Sequence, residues 1–480
     1  MDYISELPDG LFSDILSMLS IKDRLKIDRV SKRWREQKDF RKDLYFSNYS
    51  VLGISLEELL QHPTGTDDEY MKRYFDLSLR RDEFVKRVDQ FLKIFQGTKI
   101  DSFIINFYLD SQVRDTIDQW ISFAIARGVE RIDLIFDAEF YNTSSSKEDD
   151  EEEELYEFRL DLFSESNAST LKNLSLENCR VYYPINFDFT PFKNLRSLEL
   201  EQVVLHENFI TSLLSNCLLL EDLSLTMCEF KSRMPNIESS SLCYLALETC
   251  FFPYQDIYQY YAKNLIVIHC IKLTWLFYCG DLAVYYINTP ALKRIDCFIN
   301  AKKLPYALEI FAVLPQLEIL ALRTRSQLKS LLKLAKPLEN LKQLDFIVDM
   351  ESSQGEEFDL LWLLTILQAS PLLQKLSIMF TDPKFFDNQK DIKDLEIFSH
   401  EKIKVIEMAG CVGNWYEIEF ALNVLKYAHK LEQIVMSPYW RMGSSSAWES
   451  DPVWLESGRE HIREMLQGET GLGRAKLVLI

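Results

Sequence analysis

The sequence predicts an α/β protein in which a small helical N-terminal head precedes a solenoid, a curved parallel sheet with outer helices. Three observations predict it. The 480 residues exceed what one compact core accommodates. The pattern L-x-x-L-x-L recurs at near-regular intervals, and residues 4–46 carry a different, helical spacing of apolar positions. Hydrophobic residues make up 47% of the chain, beside 14 Gly and 14 Pro, which supplies ample core material and excludes a low-complexity polypeptide.

In the head, Pro8 opens a helical pattern in which Leu11, Phe12, Ile15, Leu16 and Leu19 recur at three- and four-residue steps. A second helix is expected with Asp23 as its cap and Leu25, Ile27, Val30 and Trp34 on its apolar side, next to the basic cluster Lys32, Arg33 and Arg35. Some forty residues are too few to enclose these side chains, so a partner surface is expected to cover them.

Strict copies of the repeat stand at Leu171/Leu174/Leu176, Leu195/Leu198/Leu200, Leu220/Leu223/Leu225, Leu242/Leu245/Leu247 and Leu317/Leu320/Leu322. Allowing other apolar residues adds Ile100/Phe103/Ile105, Val129/Ile132/Leu134, Leu292/Ile295/Cys297, Leu341/Leu344/Phe346, Leu373/Leu376/Ile378, Ile403/Ile406/Met408 and Leu431/Ile434/Met436, with a weaker copy at Ala262/Leu265/Val267. Each unit supplies one short strand whose alternate apolar side chains point into the stack. The amphipathic segments 209–220 and 357–367 have helical spacing and are expected on the outer face, while a helix over 457–467 and a strand over 475–480 close the far end.

The cysteines offer an independent check. Cys179, Cys228, Cys250, Cys270 and Cys411, and also Asn300, fall where the chain turns inward after a repeat strand, which reads as small buried residues rather than disulfide or metal chemistry.

Taken together, these spacings resemble the leucine-rich repeats over most of 97–440. In the head, Leu7-Pro8-Asp9, Ile15-Leu16, Leu19, Lys22-Asp23 and Val30-Ser31-Lys32-Arg33-Trp34-Arg35 closely resemble the F-box, and specifically plant F-box proteins that continue into leucine-rich repeats. Arg29 stands where that family is often apolar. Segments 84–95, 119–121 and 128–130 resemble the linker and first repeat of the same group, and 403–407 and 421–431 its FBD-type region. The resemblance implies four parts: an F-box at 1–46, a linker and N-terminal cap at 47–96, repeats at 97–440 and a C-terminal cap at 441–480. Within the repeats it places an FBD-like region at about 355–440 and an acidic loop insertion at 142–155. It further implies the substrate-recognition subunit of an SKP-cullin-F-box ubiquitin ligase. The head would dock on the SKP-type adaptor through Leu7, Pro8, Leu11, Ile15, Leu16, Leu19, Leu25, Ile27, Val30 and Trp34, and the repeats would capture a protein substrate. The alternative is a ligase-independent leucine-rich-repeat scaffold.

The best clue to a substrate is the set of strand positions that alternate with the core. Early repeats present Glu177, Glu199, Glu201, Asp222 and Glu248 there, and later ones Ile266, Ile268, Arg294, Phe298 and Arg323. A protein segment with basic residues and an apolar anchor would match this sequence of surfaces; the competing reading is that the chain's own loops cover the apolar members.

Other functions fare poorly. The formal net charge of −20 opposes attraction to phosphate backbones and anionic lipid, so neither nucleic acid nor membrane is an expected partner. The basic residues of 24–42 read as the polar face of the helical pair. The apolar stretch 265–280 is too short to span a bilayer and contains His269 and Lys272. Residues 1–12 lack the features of a secretory signal, so a nuclear or cytoplasmic location is expected and export is not. There is no G-x-S-x-G, no phosphate-binding G-x-x-x-x-G-K-S/T and no H-E-x-x-H. His206-Glu207 and His400-Glu401 lack the second histidine, and Gly468, Gly471 and Gly473 read as a turn before the last strand. The chain is therefore expected to perform no catalysis. No metal or cofactor is expected either, since Arg294 and Arg323 are too few to cradle an inositol phosphate.

Overall fold

The computed structural model describes residues 8, 11, 14–15, 18–27, 41–54, 67–136, 155–164, 169–184, 187–205, 208–231, 236–250, 266–280, 284–299, 304–324, 334, 336–350, 359–386, 392, 399–441, 448–470 and 475–480, and the side chains of 27, 67–79, 266, 284–287 and 467–470 stand outside that description. The chain divides into two compact units, one of residues 1–242 and 249–264, the other of 243–248 and 265–480.

In the first unit, helix α1 (Ile21–Ile27) packs on helix α2 (Asp67–Ile94) and on the wide turn Asn48–Leu52. Ser20, rather than the expected Asp23, caps α1: its Oγ accepts the Asp23 N–H at 3.1 Å and donates to the Asp23 carboxylate at 2.8 Å. The reciprocal pair holds the first turn from both sides, and the hydroxyl keeps the Asp23 carboxyl below its ordinary range. Ser20→Ala removes both bonds and is expected to weaken the turn by about 1 kcal/mol, read as roughly fivefold faster amide exchange over 21–27. Arg24 departs from the expected polar face, because the structure buries it at 3% exposure.

Parallel strands follow in chain order: β1 (Asp43–Ser47), β2 (Ser102–Asn106), β3 (Arg131–Ile135), β4 (Asn173–Glu177), β5 (Ser197–Glu201) and β6 (Asp222–Thr226). β1 lies partly within the span assigned to the head; its Leu44 and Phe46 are fully buried, so the sheet begins earlier than residue 97. Helices α3 (Arg114–Ile125) and α4 (Phe209–Asn216) turn Ile117, Trp120, Ile121 and Phe209, Ile210, Leu213 into the core. Trp120 also donates its indole N–H to Asp89 on α2 at 2.7 Å, tying the linker helix to the first repeat.

The repeat leucines behave as their spacing dictates. Leu174/Leu176, Leu198/Leu200 and Leu223/Leu225 are buried, and the residues between them face the other way. Directly after these strands the backbone bends through the left-handed region at Asn178, Gln202 and Met227, with φ of 53°, 52° and 50°. The bend reverses the alternation, so that the following Cys179, Val203 and Cys228 turn inward. The first two bends are held by the next strand: Asn178 N–H donates to Glu201 O and Gln202 N–H to Thr226 O, both at 2.9 Å. The Cys228 thiol donates to the Leu200 carbonyl at 3.2 Å and that of Cys250 to Leu225 at 3.3 Å, so these positions take small weak donors that close the preceding repeat. Beyond the bends a second parallel sheet forms from Tyr156–Arg159, Cys179–Tyr182, Val204–Leu205 and Glu229–Phe230.

The second unit continues the plan with β7 (Tyr244–Glu248), β8 (Trp275–Cys279), β9 (Arg294–Phe298), β10 (Ile319–Thr324), β11 (Gln343–Asp349), β12 (Lys375–Thr381), β13 (Val405–Ala409), β14 (Gln433–Ser437) and β15 (Lys476–Leu479), all parallel. Helices α5 (Leu304–Phe311), α6 (Trp362–Gln368), α7 (Trp415–Tyr427) and α8 (Arg459–Thr470) bury their apolar stripes, as at Leu304, Leu308 and Phe311. β15 bears out the strand expected near the end of the chain. His400 is a packed residue whose Nδ1 accepts the N–H groups of Lys402 and Ile403 while Nε2 lies 3.0 Å from the Ser370 carbonyl; burial lowers its pKa.

One repeat was mis-assigned from sequence. The strand expected around Leu265 and Val267 is Ile266–Cys270, and it pairs with Val284–Asn288 outside the main sheet. The repeat strand is β8, with Leu273, Leu276 and Tyr278 as its inward series. Tyr278 hides the leucine signature, and the alternating run at 266–270 imitates it. Cys270 consequently precedes a repeat strand instead of following one, while Asn300 lies outside the described residues.

Candidate functional site

Two surfaces could recognise another molecule. The first is the head. Pro8 is exposed, Leu11 is 55% and Met18 83% exposed, and Ile15, Leu19 and Leu25 are half-buried. Apolar side chains so placed on a small helical segment are the kind of surface that association covers. Leu7, Leu16, Val30 and Trp34, and the side chain of Ile27, lie outside the described residues.

The second surface is the face of the sheet that carries the positions alternating with the core. Because strands pair in register, these positions form ladders. In the first unit Glu177 sits beside Glu201, Glu199 lies between Ser175 and Ser224, and Asp222 sits beside Ser197. Glu199, Glu201 and Asp222 are exposed and Glu177 is half-buried. Partial burial, then Glu221 and Glu199, raise the Asp222 carboxyl above its ordinary value, the response expected where like charges crowd. Arg131 on the same face is committed to Asp133, which takes its Nε at 2.8 Å and Nη2 at 2.7 Å. The net field of this patch is acidic.

The second unit presents a different chemistry. Glu248 stands half-buried at the end of β7. Across β7 to β9, Tyr244, Trp275 and Arg294 share one ladder: the Tyr244 and Trp275 rings meet edge to face at 4.9 Å, and the Arg294 guanidinium lies 4.8 Å from the Trp275 ring centroid. Asp296 fixes this group by accepting Arg294 Nε at 3.1 Å and the Trp275 indole N–H at 2.7 Å. A further ladder carries Phe298, Arg323, Ile347 and Met379, with the Arg323 guanidinium 5.6 Å from the Phe298 ring centroid. Tyr, Trp and Arg are the residues that dominate protein-recognition surfaces, because each offers large contact area and a directional polar group.

The sequence placed Arg294, Phe298 and Arg323 on this face, and the structure brings them together. It removes Ile268, which is fully buried at 0% exposure; the side chain of Ile266 lies outside the described residues. Tyr244, Trp275 and Asp296 were missed. The Arg-x-Asp spacing of Arg294 and Asp296, shared with Arg131 and Asp133, was a usable signal, since residues two apart on a strand face the same side. Among the described residues no group of three or more His, Cys, Asp and Glu is arranged to hold a metal ion, and no helix is long and apolar enough to cross a membrane.

Comparison with known proteins adds the family. The F-box domain model matches residues 4–41, and the model described as the At1g61320/AtMIF1 LRR domain matches residues 91–468. Over 272 residues the chain is 28% identical to the F-box/FBD/LRR-repeat protein At1g13570 of Arabidopsis thaliana, covering 56% of this chain and 53% of that protein. It is also 28% identical over 231 residues to the F-box/FBD/LRR-repeat protein At5g44980 of the same plant, covering 47% and 42%. With F-box protein At5g03100 the identity is 25% over 243 residues, covering 50% of this chain and 62% of that one. The chain spans about half the length of the first curated relatives it matches. With an F-box at its head and the matched repeats over most of its length, the chain belongs to the plant F-box/leucine-rich-repeat proteins.

Proposed function

We propose that the chain is a substrate-recognition subunit of an SKP-cullin-F-box ubiquitin ligase, working in the nucleus or cytoplasm. The observation that carries this reading is the succession, in one polypeptide, of an F-box at 4–41 and a leucine-rich-repeat platform at 91–468. The head supplies the adaptor contact and the sheet face the substrate contact, and the chain contributes no catalytic group of its own. Its effect on rate is proximity: a bound target has its lysines held near activated ubiquitin, converting an encounter between separate molecules into an intramolecular step.

Leu11 tests the head, because an exposed side chain can be changed without disturbing the core. With a purified plant SKP-type adaptor, Leu11→Asp is expected to reduce co-purification at least tenfold while leaving the circular dichroism spectrum unchanged. Equal capture of adaptor by wild type and variant, or none by either, overturns the assignment.

A further inference from the structure

Two cations of the second unit's sheet face are held by carboxylates of the same face. Arg294 is held by Asp296, and Lys375 by Glu407 at 2.9 Å. Arg323, between them on β10, has no carboxylate partner among the described residues, and its Nε is buried without an acceptor. The primary structure explains why: the position two residues before it, which would face the same side, is Ala321, and its cross-strand neighbours are Phe298 and Ile347. The carboxylates that share this face on the two neighbouring strands are themselves engaged, Asp296 by Arg294, Asp345 by the Gln343 amide at 2.8 Å, and Asp349 by a partner of its own. An arginine whose Nε is buried without an acceptor among the described residues, in a chain of net charge −20, is a candidate to take its acceptor from another molecule.

We propose that Arg323 is the anchor of a binding site for an acidic peptide segment: a carboxylate side chain of the segment pairs with the Arg323 guanidinium, and an apolar side chain two residues away packs along Phe298, Ile347 and Met379. Three features favour this occupant. The apolar walls lower the local dielectric and strengthen a charge-assisted hydrogen bond to the guanidinium fork. The Phe298 ring centroid lies 5.6 Å from the guanidinium carbon, a cation–π contact that restricts the side chain, so less freedom is lost when the carboxylate arrives. Ala321, flanked in register by Asp296 and Asp345, leaves a low place in the face beside Arg323 where a backbone can approach. An extended segment places residues i and i+2 on one side, matching an acidic residue followed two positions later by an apolar one.

This inference rests on the substrate-receptor reading for its biological role, but its test does not involve the adaptor. The full chain would be passed over immobilised degenerate octapeptides with Phe fixed at position 5 and Glu, Gln or Lys fixed at position 3. Retention on the Glu set is expected to exceed the Gln set about tenfold and the Lys set by more, and to fall as salt is raised from 50 to about 300 mM. Arg323→Gln should abolish the preference, Arg323→Lys should keep part of it, and Leu11→Asp should leave it intact. Equal retention on Glu and Gln sets, no retention of either, or a Glu preference surviving in Arg323→Gln overturns the site. Should Arg323→Gln not fold, the Arg323→Lys result and the wild-type salt dependence decide. A chain that fails to bind the adaptor yet keeps the Glu preference would sink the ligase reading alone.

Discussion

Gly458→Ala is expected to loosen the C-terminal end of the second unit by about 3 kcal/mol, although the same exchange within a helical turn ordinarily stabilises by up to about 1 kcal/mol. The sign reverses because of what the missing side chain lets approach. Gly458 ends the wide turn Trp454–Gly458 just before α8, and its backbone lies directly against Val412 and Gly413 after β13. A Cβ there would overlap the Val412 carbonyl oxygen and stand 2.8 Å from its carbon, and backbone cannot swing aside as a long side chain can. Separating the two segments would also strain the Trp454 indole bond to the Ile480 carbonyl, 2.8 Å, which ties this turn to the end of the last strand. Hydrogen exchange in peptides covering Trp454–Leu466 should accelerate by about two orders of magnitude, with the first unit unaffected. Unchanged or slower exchange would show that the two backbones are not in contact.

The second large effect is a pH dependence centred on Glu417. This residue occupies the first turn of α7 at 0% exposure, and its Oε2 accepts the backbone N–H groups of Val412 at 3.2 Å and Gly413 at 2.9 Å. Burial pushes its carboxyl up from 4.5 to about 7, against the opposing pull of those N–H donors. The nearby Tyr416 and Cys411 are neutral, with their own pKa values raised by the same burial, so they supply no compensating charge. Because the folded chain holds the proton more tightly than the unfolded one, this group's contribution to stability declines as pH rises from about 4.5 to about 7 and is flat above. The full decline corresponds to about 3 kcal/mol. Glu417→Gln keeps an oxygen in the Oε2 position and removes the charge. It should therefore unfold at higher urea than wild type at pH 8, by about 3 kcal/mol over this segment, and by about half as much at pH 5.5. A difference that does not change between the two pH values would mean that Glu417 is ionised throughout.

How much of this could be read from the letters varies by element. The inward leucines were legible because strand geometry forces a two-residue period and the repeat imposes the same triplet many times over. Where one triplet ends in Tyr278 and a neighbouring strand at 266–270 alternates as cleanly, the pattern alone cannot say which belongs to the main sheet. That is decided by pairing with β7 and β9, a non-local event. Capping fell one helical turn away, at Ser20 instead of Asp23, because both residue types serve and only the backbone path selects between them. Of the candidate site, the positions were readable but not the pairings. Arg294 and Arg323 look alike in sequence until the residues two places away, Asp296 and Ala321, are considered together with their cross-strand neighbours.

The bends at Asn178, Gln202 and Met227 carry a lesson for anyone dividing this chain into fragments. Left-handed backbone costs a residue with a side chain about 1 kcal/mol, and here glycine was not used to avoid it. What keeps Asn178 and Gln202 in place is a carbonyl belonging to the strand that comes afterwards. A truncation that ends just past β5 would take away the acceptor for Gln202, relax that corner, and in turn loosen the carbonyl that Asn178 depends on. Shortened versions should fray backwards from the cut, so useful deletions are those that leave a corner together with its successor.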